Sequence, residues 1–229
     1  MIPWSLRAVD RRRWRQAQEH EARFWTQPNA LPPQSERVSQ RYAGLLRAME
    51  GQGPWGEVIL EVGSGPTCAT RVLSGVRRVF ADPLATVYRS LCPDSIPDHF
   101  VASTGEHLPF RDATFDGVFS FNVIDHVFSP AQFVGELVRV ARSGGTIMVG
   151  VYTHPRLFAA VRTALERTLP WFREPAHPFF FSRESLVRLL RHHHLHVERV
   201  VCAYAPQRFA FLHRQDWVAI ARKPLGPPG

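Results

Sequence analysis

The sequence predicts an α/β protein: a parallel β-sheet with helices on both faces, ending in a C-terminal antiparallel hairpin strand and preceded by a helical N-terminal cap. Two observations carry this expectation. From Glu57 onward, short aliphatic runs alternate with helical stretches, the rhythm of parallel strands joined by crossover helices. Later in the chain, the strand-like runs "HVERVVCAYA" and "DWVAIARK" are only ten residues apart. That is too short for a crossover helix, so the last pair is antiparallel.

The elements follow in order. Residues 5–27 and 34–50 read as helices; in the first, Leu6, Val9, Trp14, Ala17, Phe24 and Trp25 recur at helical spacing between charged residues. A Pro-rich break, "QPNALPPQ", separates them, and "GQGPWG" leads into the first strand. Both helices precede the repeating pattern. Residues 1–53 are therefore a cap, acting as a substrate lid or as plain packing helices, and residues 54–229 are the main domain.

"EVILEV" (57–62) is continuously aliphatic, as expected of a strand buried on both faces. "PTCATRVLSG" reads as the helix after it, closed by Gly75; "VRRVFAD" (76–82) is a second strand and "ATVYRSLC" a second crossover helix. "HFVAS" (99–103) and "DGVFSFN" (116–122) are strands three and four. "PAQFVGELVRVAR" opens on Pro130 and stops before Gly144-Gly145, the punctuation of an intact helix, and "GTIMVGVY" (145–152) is strand five. Residues 153–181 break the rhythm as an insertion, with a helix over 155–168 and then the aromatic, Pro-rich "LPWFREPAHPFFFS". "SRESLVRLLRHH" (182–193) has Ser182, Glu184 and Ser185 as N-terminal helix signals.

Composition narrows the class. Hydrophobic residues make up 45% of the chain and charged residues 21%, which describes a globular domain and not a disordered one. No run approaches the roughly 18 apolar residues of a membrane span, and the basic N-terminus has no apolar stretch behind it to make a signal peptide. Cys68, Cys92 and Cys202 are scattered without metal-ligand spacing, which favours reduced thiols and a cytoplasmic location. The net charge of +8, concentrated at Arg11, Arg12, Arg13 and Arg15, reads first as a solvated helix face. It leaves room for an anionic partner such as a membrane surface. No zinc-finger, RRM or helix-turn-helix signature supports nucleic acid. The "RHHHLH" run at 191–196 reads as solvated surface, not as a metal cluster.

The chemistry concentrates at "LEVGSGP" (60–66), where Gly63 and Gly65 flank Ser64 after a strand. Without Cβ atoms they allow a tight turn and close approach of a ligand to the backbone. A P-loop needs a Gly-Lys-Ser/Thr that is absent. A dinucleotide turn wants a third glycine where Cys68 stands, although Asp82 at the end of strand two suits any ribose. Glu61, two residues before the first glycine, opposes a pyrophosphate and suits a cationic ligand.

Read with "ADP", "GEHLPFRDATFDGVFS", "NVIDHVFSP" and "ELVRVARSGGTIMVG", the turn resembles that of class I S-adenosylmethionine-dependent methyltransferases, in their small-molecule, type-11-like branch. The resemblance covers residues 57–152 in unbroken order and implies a Rossmann-like fold. It also implies that Glu61, Gly63, Ser64 and Gly65 surround the methionine moiety of S-adenosyl-L-methionine, that Asp82 takes the ribose hydroxyls, and that Pro83 and Leu84 lie by the adenine. Thr104, Gly105 and Glu106 fall at the adenine edge and Asn122 beside the methionine. Thr104 stands where relatives commonly carry aspartate, so recognition of the adenine amino group passes to Glu106, the Thr104 hydroxyl or the backbone.

The implied reaction is methyl transfer to a small-molecule acceptor, a hydroxyl of a sugar, glycolipid or secondary metabolite. The sugar and glycolipid preference comes from an N-terminal string, Trp14 to Trp25, loosely similar to methyltransferases of bacterial surface-polysaccharide clusters. N- or C-methylation, or a non-catalytic S-adenosylmethionine-binding regulatory domain, are the alternatives. A hydroxyl acceptor needs a base, and His126, His154 and His177 follow strands or lie in the insertion on the acceptor side. Asn122, Asp125 and His126 sit at the spacing of a Glu-x-x-Glu-His metal motif found in some relatives. With one anionic ligand instead of two, that set binds Mg²⁺ weakly, and no metal is expected.

Overall fold

The computed structural model describes residues 6–26, 33–49, 55–93, 96–97, 99–204 and 215–226. Seven strands form one sheet: β1 (Val58–Val62), β2 (Arg77–Asp82), β3 (Phe100–Ala102), β4 (Phe115–Phe121), β5 (Ala141–Thr153), β6 (His196–Tyr204) and β7 (Gln215–Arg222). Their order is β3-β2-β1-β4-β5-β7-β6. β1 to β5 pair in parallel, and β7 runs antiparallel to both β5 and β6. This is the Rossmann-like parallel sheet with an antiparallel C-terminal hairpin strand that the sequence led us to expect. The connection between β6 and β7, most of the Pro-rich break and most of "GQGPWG" lie outside the described residues.

Six α-helices are described: α1 (Arg11–Thr26), α2 (Pro33–Ala48), α3 (Ala85–Leu91), α4 (Pro130–Val140), α5 (Arg156–Thr168) and α6 (Arg183–His192). The parallel strands bury both faces, and consecutive residues serve opposite cores. Leu60, Val118, Ile147 and Ala219 pack with Phe133, Val134 and Leu137 of α4 and with Leu186 and Leu190 of α6. Their neighbours Ile59, Phe119, Met148 and Val218 pack with Tyr42 and Leu46 of α2. The period of two along each strand thus becomes two separate hydrophobic layers.

Local signals explain the helix ends. Ser129 accepts the Gln132 N–H at 3.3 Å ahead of Pro130. Ser182 and Ser185 form a reciprocal capping box at 3.2 and 2.9 Å.

Three elements differ from the sequence reading. The first helix starts at Arg11, because the Asp10 carboxylate caps the Arg13 N–H at 2.8 Å. The helix expected over "PTCATRVLSG" is a single 3₁₀ turn, Ala69–Val72. Cys68, at φ 48°, takes a left-handed conformation just before it and blocks a longer helix. The fifth strand starts at Ala141, since Ala141 already pairs with Phe115. A register shift then follows, and Gly144, at φ 73°, lies within it.

Candidate active site

A cleft opens at the C-terminal ends of β1, β2 and β4, the position where open α/β sheets bind ligands. It encloses about 980 Å³, counting the solvent at its mouth. All ten residues that the sequence singled out for the cofactor line it: Glu61, Gly63, Ser64, Gly65, Asp82, Pro83, Thr104, Gly105, Glu106 and Asn122.

Glu61 determines what the turn can accept. Its carboxylate is buried and accepts the Ala69 N–H at 2.9 Å, the Thr70 N–H at 2.8 Å and the Thr70 hydroxyl at 2.6 Å. Burial raises its pKa, and the three hydrogen bonds from Thr70 and Ala69 oppose the rise. The two N–H groups that open the 3₁₀ turn after the glycines, which could otherwise bind an anion, are thus taken from inside by Glu61. The sequence reading turned this carboxylate toward a cationic ligand, whereas its oxygens here serve the loop.

The backbone around Glu61 is shaped for close approach. Gly63 has φ 70°, its N–H donates to the Ala81 carbonyl at 2.7 Å, and a Cβ there would lie 2.2 Å from Val123. Gly65 has φ 55°, and a Cβ on it would meet nothing, so this glycine keeps a left-handed turn open to the cleft.

Asp82 ends β2. Its Oδ2 accepts the Gly65 N–H at 3.0 Å and its Oδ1 the Leu84 N–H at 2.9 Å. Each oxygen can take a second donor, so a diol has two acceptors available. Burial pushes the Asp82 carboxyl up to about 6, partly offset by the Leu84 and Gly65 hydrogen bonds. The folded state therefore holds this proton more tightly than the unfolded chain. The contribution of Asp82 to stability is present at acid pH and is lost as pH rises through about 6.

The Glu106 Oε1 accepts the Phe128 N–H at 2.5 Å, which joins the segment after β3 to the loop before α4. Two further polar atoms in the cleft, Ser64 Oγ and Asn122 Oδ1, are buried without a hydrogen-bond partner. Asn122 sits at φ 59° at the end of β4 and donates its backbone N–H to Gly150 at 2.8 Å. Orphaned acceptors and donors at this point fit a polar ligand such as an amino acid moiety.

The three candidate bases separate. His126 lines the cleft, and His177 packs against it with ring centroids 4.5 Å apart. His126 Nδ1 lies 3.1 Å from the Ala176 carbonyl, which can only accept. A proton on Nδ1 satisfies that carbonyl, and Nε2 lies 3.7 Å from Asp125 Oδ1. His177 Nε2 lies 3.9 Å from the other Asp125 oxygen, and burial lowers its pKa. His154 is not on the cleft; it stacks on Phe158 at 4.9 Å and shares a small void with Asp125 and His177. Asp125, His126 and His177 have ligand atoms within 4.8 Å of one another, whereas the sequence grouped Asp125 and His126 with Asn122.

The N-terminal segment read as a substrate lid walls the cleft through Trp14 and Trp25 of α1, joined by Gln18 and Glu21, whose place there sequence reasoning missed. Gln18 Nε2 donates to the His126 carbonyl at 2.9 Å, and Glu21 Oε1 lies 3.5 Å from His126 Nδ1. Arg13, read as part of a solvated basic face, is buried. Its guanidinium donates to the carbonyls of Glu174 and Pro175 and lies 3.6 Å from Glu166. Helical spacing places Trp14, Gln18, Glu21 and Trp25 on one side of α1, the signal that could have found this wall.

The strand order and the antiparallel last pair give the Rossmann-like fold found in solved methyltransferases. Residues 60–149 match the family model for a methyltransferase domain. Two curated mycobacterial proteins named as uncharacterized methyltransferases are similar. One, from Mycobacterium leprae (strain Br4923), is 33% identical over 109 residues, covering 46% of this chain and 40% of its own. One from Mycobacterium avium (strain 104) is 36% identical over 105 residues, covering 44% and 42%. The matched part thus spans about two-fifths of the curated relatives' length.

Among solved structures, geranyl diphosphate C-methyltransferase from Streptomyces coelicolor A3(2) superposes with a TM-score of 0.60 at 14% identity, covering 96% of this chain and 90% of that one. The [4+2]-cyclase SpnF superposes equally well at 0.60 and 15% identity, covering 81% of each chain. Residues 60–149 thus match a methyltransferase domain, and the fold around them is shared with solved methyltransferases.

Removing the Glu61 carboxylate leaves two buried N–H groups and a hydroxyl without an acceptor. Glu61→Ala is expected to lower stability by on the order of 3 kcal/mol in urea denaturation, and Glu61→Gln by less, because one oxygen remains. Equal midpoints for wild type and Glu61→Ala would show that Glu61 does not hold the turn.

Proposed function

We propose that this protein transfers a methyl group from S-adenosylmethionine to a small-molecule acceptor, at a hydroxyl. The observation that carries the reading is the pairing of a Glu61-filled anion hole with the open acceptors of Asp82 in one cleft. Bound there, S-adenosylmethionine supplies an electrophilic methyl on its sulfonium. Asp82 accepts the ribose hydroxyls, Pro83 and Leu84 flank the adenine, and Thr104, Gly105 and Glu106 meet its edge. Gly63, Ser64, Gly65 and Asn122 hold the amino acid end.

On the acceptor side, His126 accepts the hydroxyl proton at Nε2, its tautomer fixed by the Ala176 carbonyl, with Asp125 beside it to stabilise the imidazolium. His177 backs His126, and His154 lies farther off. Residues 1–53 act as the cap, with Trp14, Gln18, Glu21 and Trp25 over the cleft, on a domain of residues 54–229 with its insertion at 153–181. A sugar, glycolipid or secondary-metabolite hydroxyl suits an aromatic-roofed cleft with a histidine base. The three free thiols suit a cytoplasmic setting. N- or C-methylation and a non-catalytic regulatory domain remain the alternatives, and mass spectrometry of the methylated product separates them.

A second reading of the same corner has its own support. His126 Nε2 and Asp125 Oδ1 lie 3.7 Å apart with His177 alongside, and the ligand atoms of the three residues lie within 4.8 Å of one another, close enough to share a cation. A divalent ion on Asp125, His126 and His177 would polarise the acceptor oxygen in place of the base.

Three outcomes follow from these roles. In calorimetry S-adenosylhomocysteine binds and NAD does not, and Asp82→Ala weakens that binding about tenfold or more. Binding of NAD alone, or unchanged affinity in the variant, would overturn the cofactor assignment. Ribose hydroxyls favour the ionised Asp82, so affinity is expected to fall as pH drops through about 6, with a proton released on binding near that pH. His126→Ala is expected to lower kcat about 100-fold with S-adenosylhomocysteine affinity preserved. Activity lost to a chelator and restored by a divalent ion would instead select the metal reading.

A further inference from the structure

Helix α5 packs the wrong way round for a core helix. It buries Ala159, Thr163 and Glu166 and exposes Leu157, Phe158 and Val161. At about 100° per residue, the three buried positions lie on one side, and Leu157, Phe158, Val161 and Leu165 span about 100° on the opposite side. Two residues past the helix, the 3₁₀ turn Pro170–Phe172 exposes two more large apolar side chains, Trp171 and Phe172. Leu157 and Trp171 are each 77% exposed, far beyond what scattered surface residues need.

Cations rim this stripe. Arg156 and Arg167 fall on one flank of α5 and Arg162 on the other. Arg173 follows the turn, and Arg167 donates to the Arg7 carbonyl, which draws exposed Arg7 to the same edge. The buried contacts of Arg13 with Glu174, Pro175 and Glu166 hold the first turn of α1, with exposed Arg11 and Arg12, against the same insertion. Of the acidic groups there, Glu166 is buried and engaged by Arg13 and Arg162, at 3.6 and 3.7 Å.

We propose that the outer face of α5 and the Pro170–Phe172 turn is a docking surface for an anionic lipid bilayer. Tryptophan, phenylalanine and leucine flanked by arginine is the composition of elements that lie in a membrane interface, where apolar burial and attraction to anionic headgroups act together. A second copy of the chain is the less suited occupant, since pairing two such faces opposes two arginine rims in a protein of net charge +8. The docking surface stands on these side chains alone and does not depend on methyl transfer.

Cosedimentation of the full chain with phosphatidylcholine vesicles, with and without phosphatidylglycerol, tests it. Binding is expected to the phosphatidylglycerol vesicles, to weaken in high salt, and to drop about tenfold or more in Leu157→Ser/Trp171→Ser. The variant should retain wild-type affinity for S-adenosylhomocysteine and wild-type far-UV circular dichroism, which shows that it folds. Arg156→Gln/Arg173→Gln should lose only the preference for phosphatidylglycerol. No binding to either vesicle, equal binding by wild type and Leu157→Ser/Trp171→Ser, or a wild-type dimer that this variant dissociates without any vesicle binding would each overturn the proposal.

Discussion

The cleft depends on one buried carboxylate. Glu61 leaves β1 and closes on the Ala69 and Thr70 amides, which pins the loop after the strand in a short turn. That turn holds Gly65 within reach of Asp82, whose own carboxylate spans from Gly65 to Leu84 at the mouth of β2. Two acidic side chains therefore build the floor of the site from backbone N–H groups that a phosphate would otherwise claim. Because both are buried and held by hydrogen bonds, neither is a loose surface charge, and Asp82 keeps an acceptor face for a hydroxylated ligand.

The opposite wall is assembled from distant parts of the chain. Arg13 reaches across 162 residues to the Pro175 carbonyl, and the insertion it grips brings His177 onto His126. An arginine buried beside Glu166 and two carbonyls is well satisfied, so it joins α1 and the insertion as one unit over the cleft. The same junction leaves the apolar side of α5 facing outward, since small and polar residues suffice to fill the gap beneath it.

Much of the fold was legible. Strands buried on both faces read as unbroken aliphatic runs, and "EVILEV" and "GTIMVGVY" needed no context. The hairpin followed from a short connection, and Ser182 and Pro130 marked helix starts by chemistry that acts within one turn. The helix after β1 was misread because "PTCATRVLSG" has the composition of a helix, and nothing local reveals that Cys68 turns left-handed. The role of Glu61 was half visible: its charge and place were plain, its partners were not.

What the sequence determined by itself was the sheet and the wall of the cleft built from its strand ends. Those residues stand at strand ends, and a strand end is positioned by its own periodicity and the turn beside it. Asp82, Gly63 and Asn122 come to one place because β2, β1 and β4 are neighbours in a parallel sheet. Tertiary structure alone decided the opposite wall. Which face of α5 is buried, whether Arg13 is solvated or enclosed, and which histidine meets Asp125 all depend on contacts between segments far apart in the chain. Helical periodicity can show that a face exists, but the packing partner decides which face turns inward.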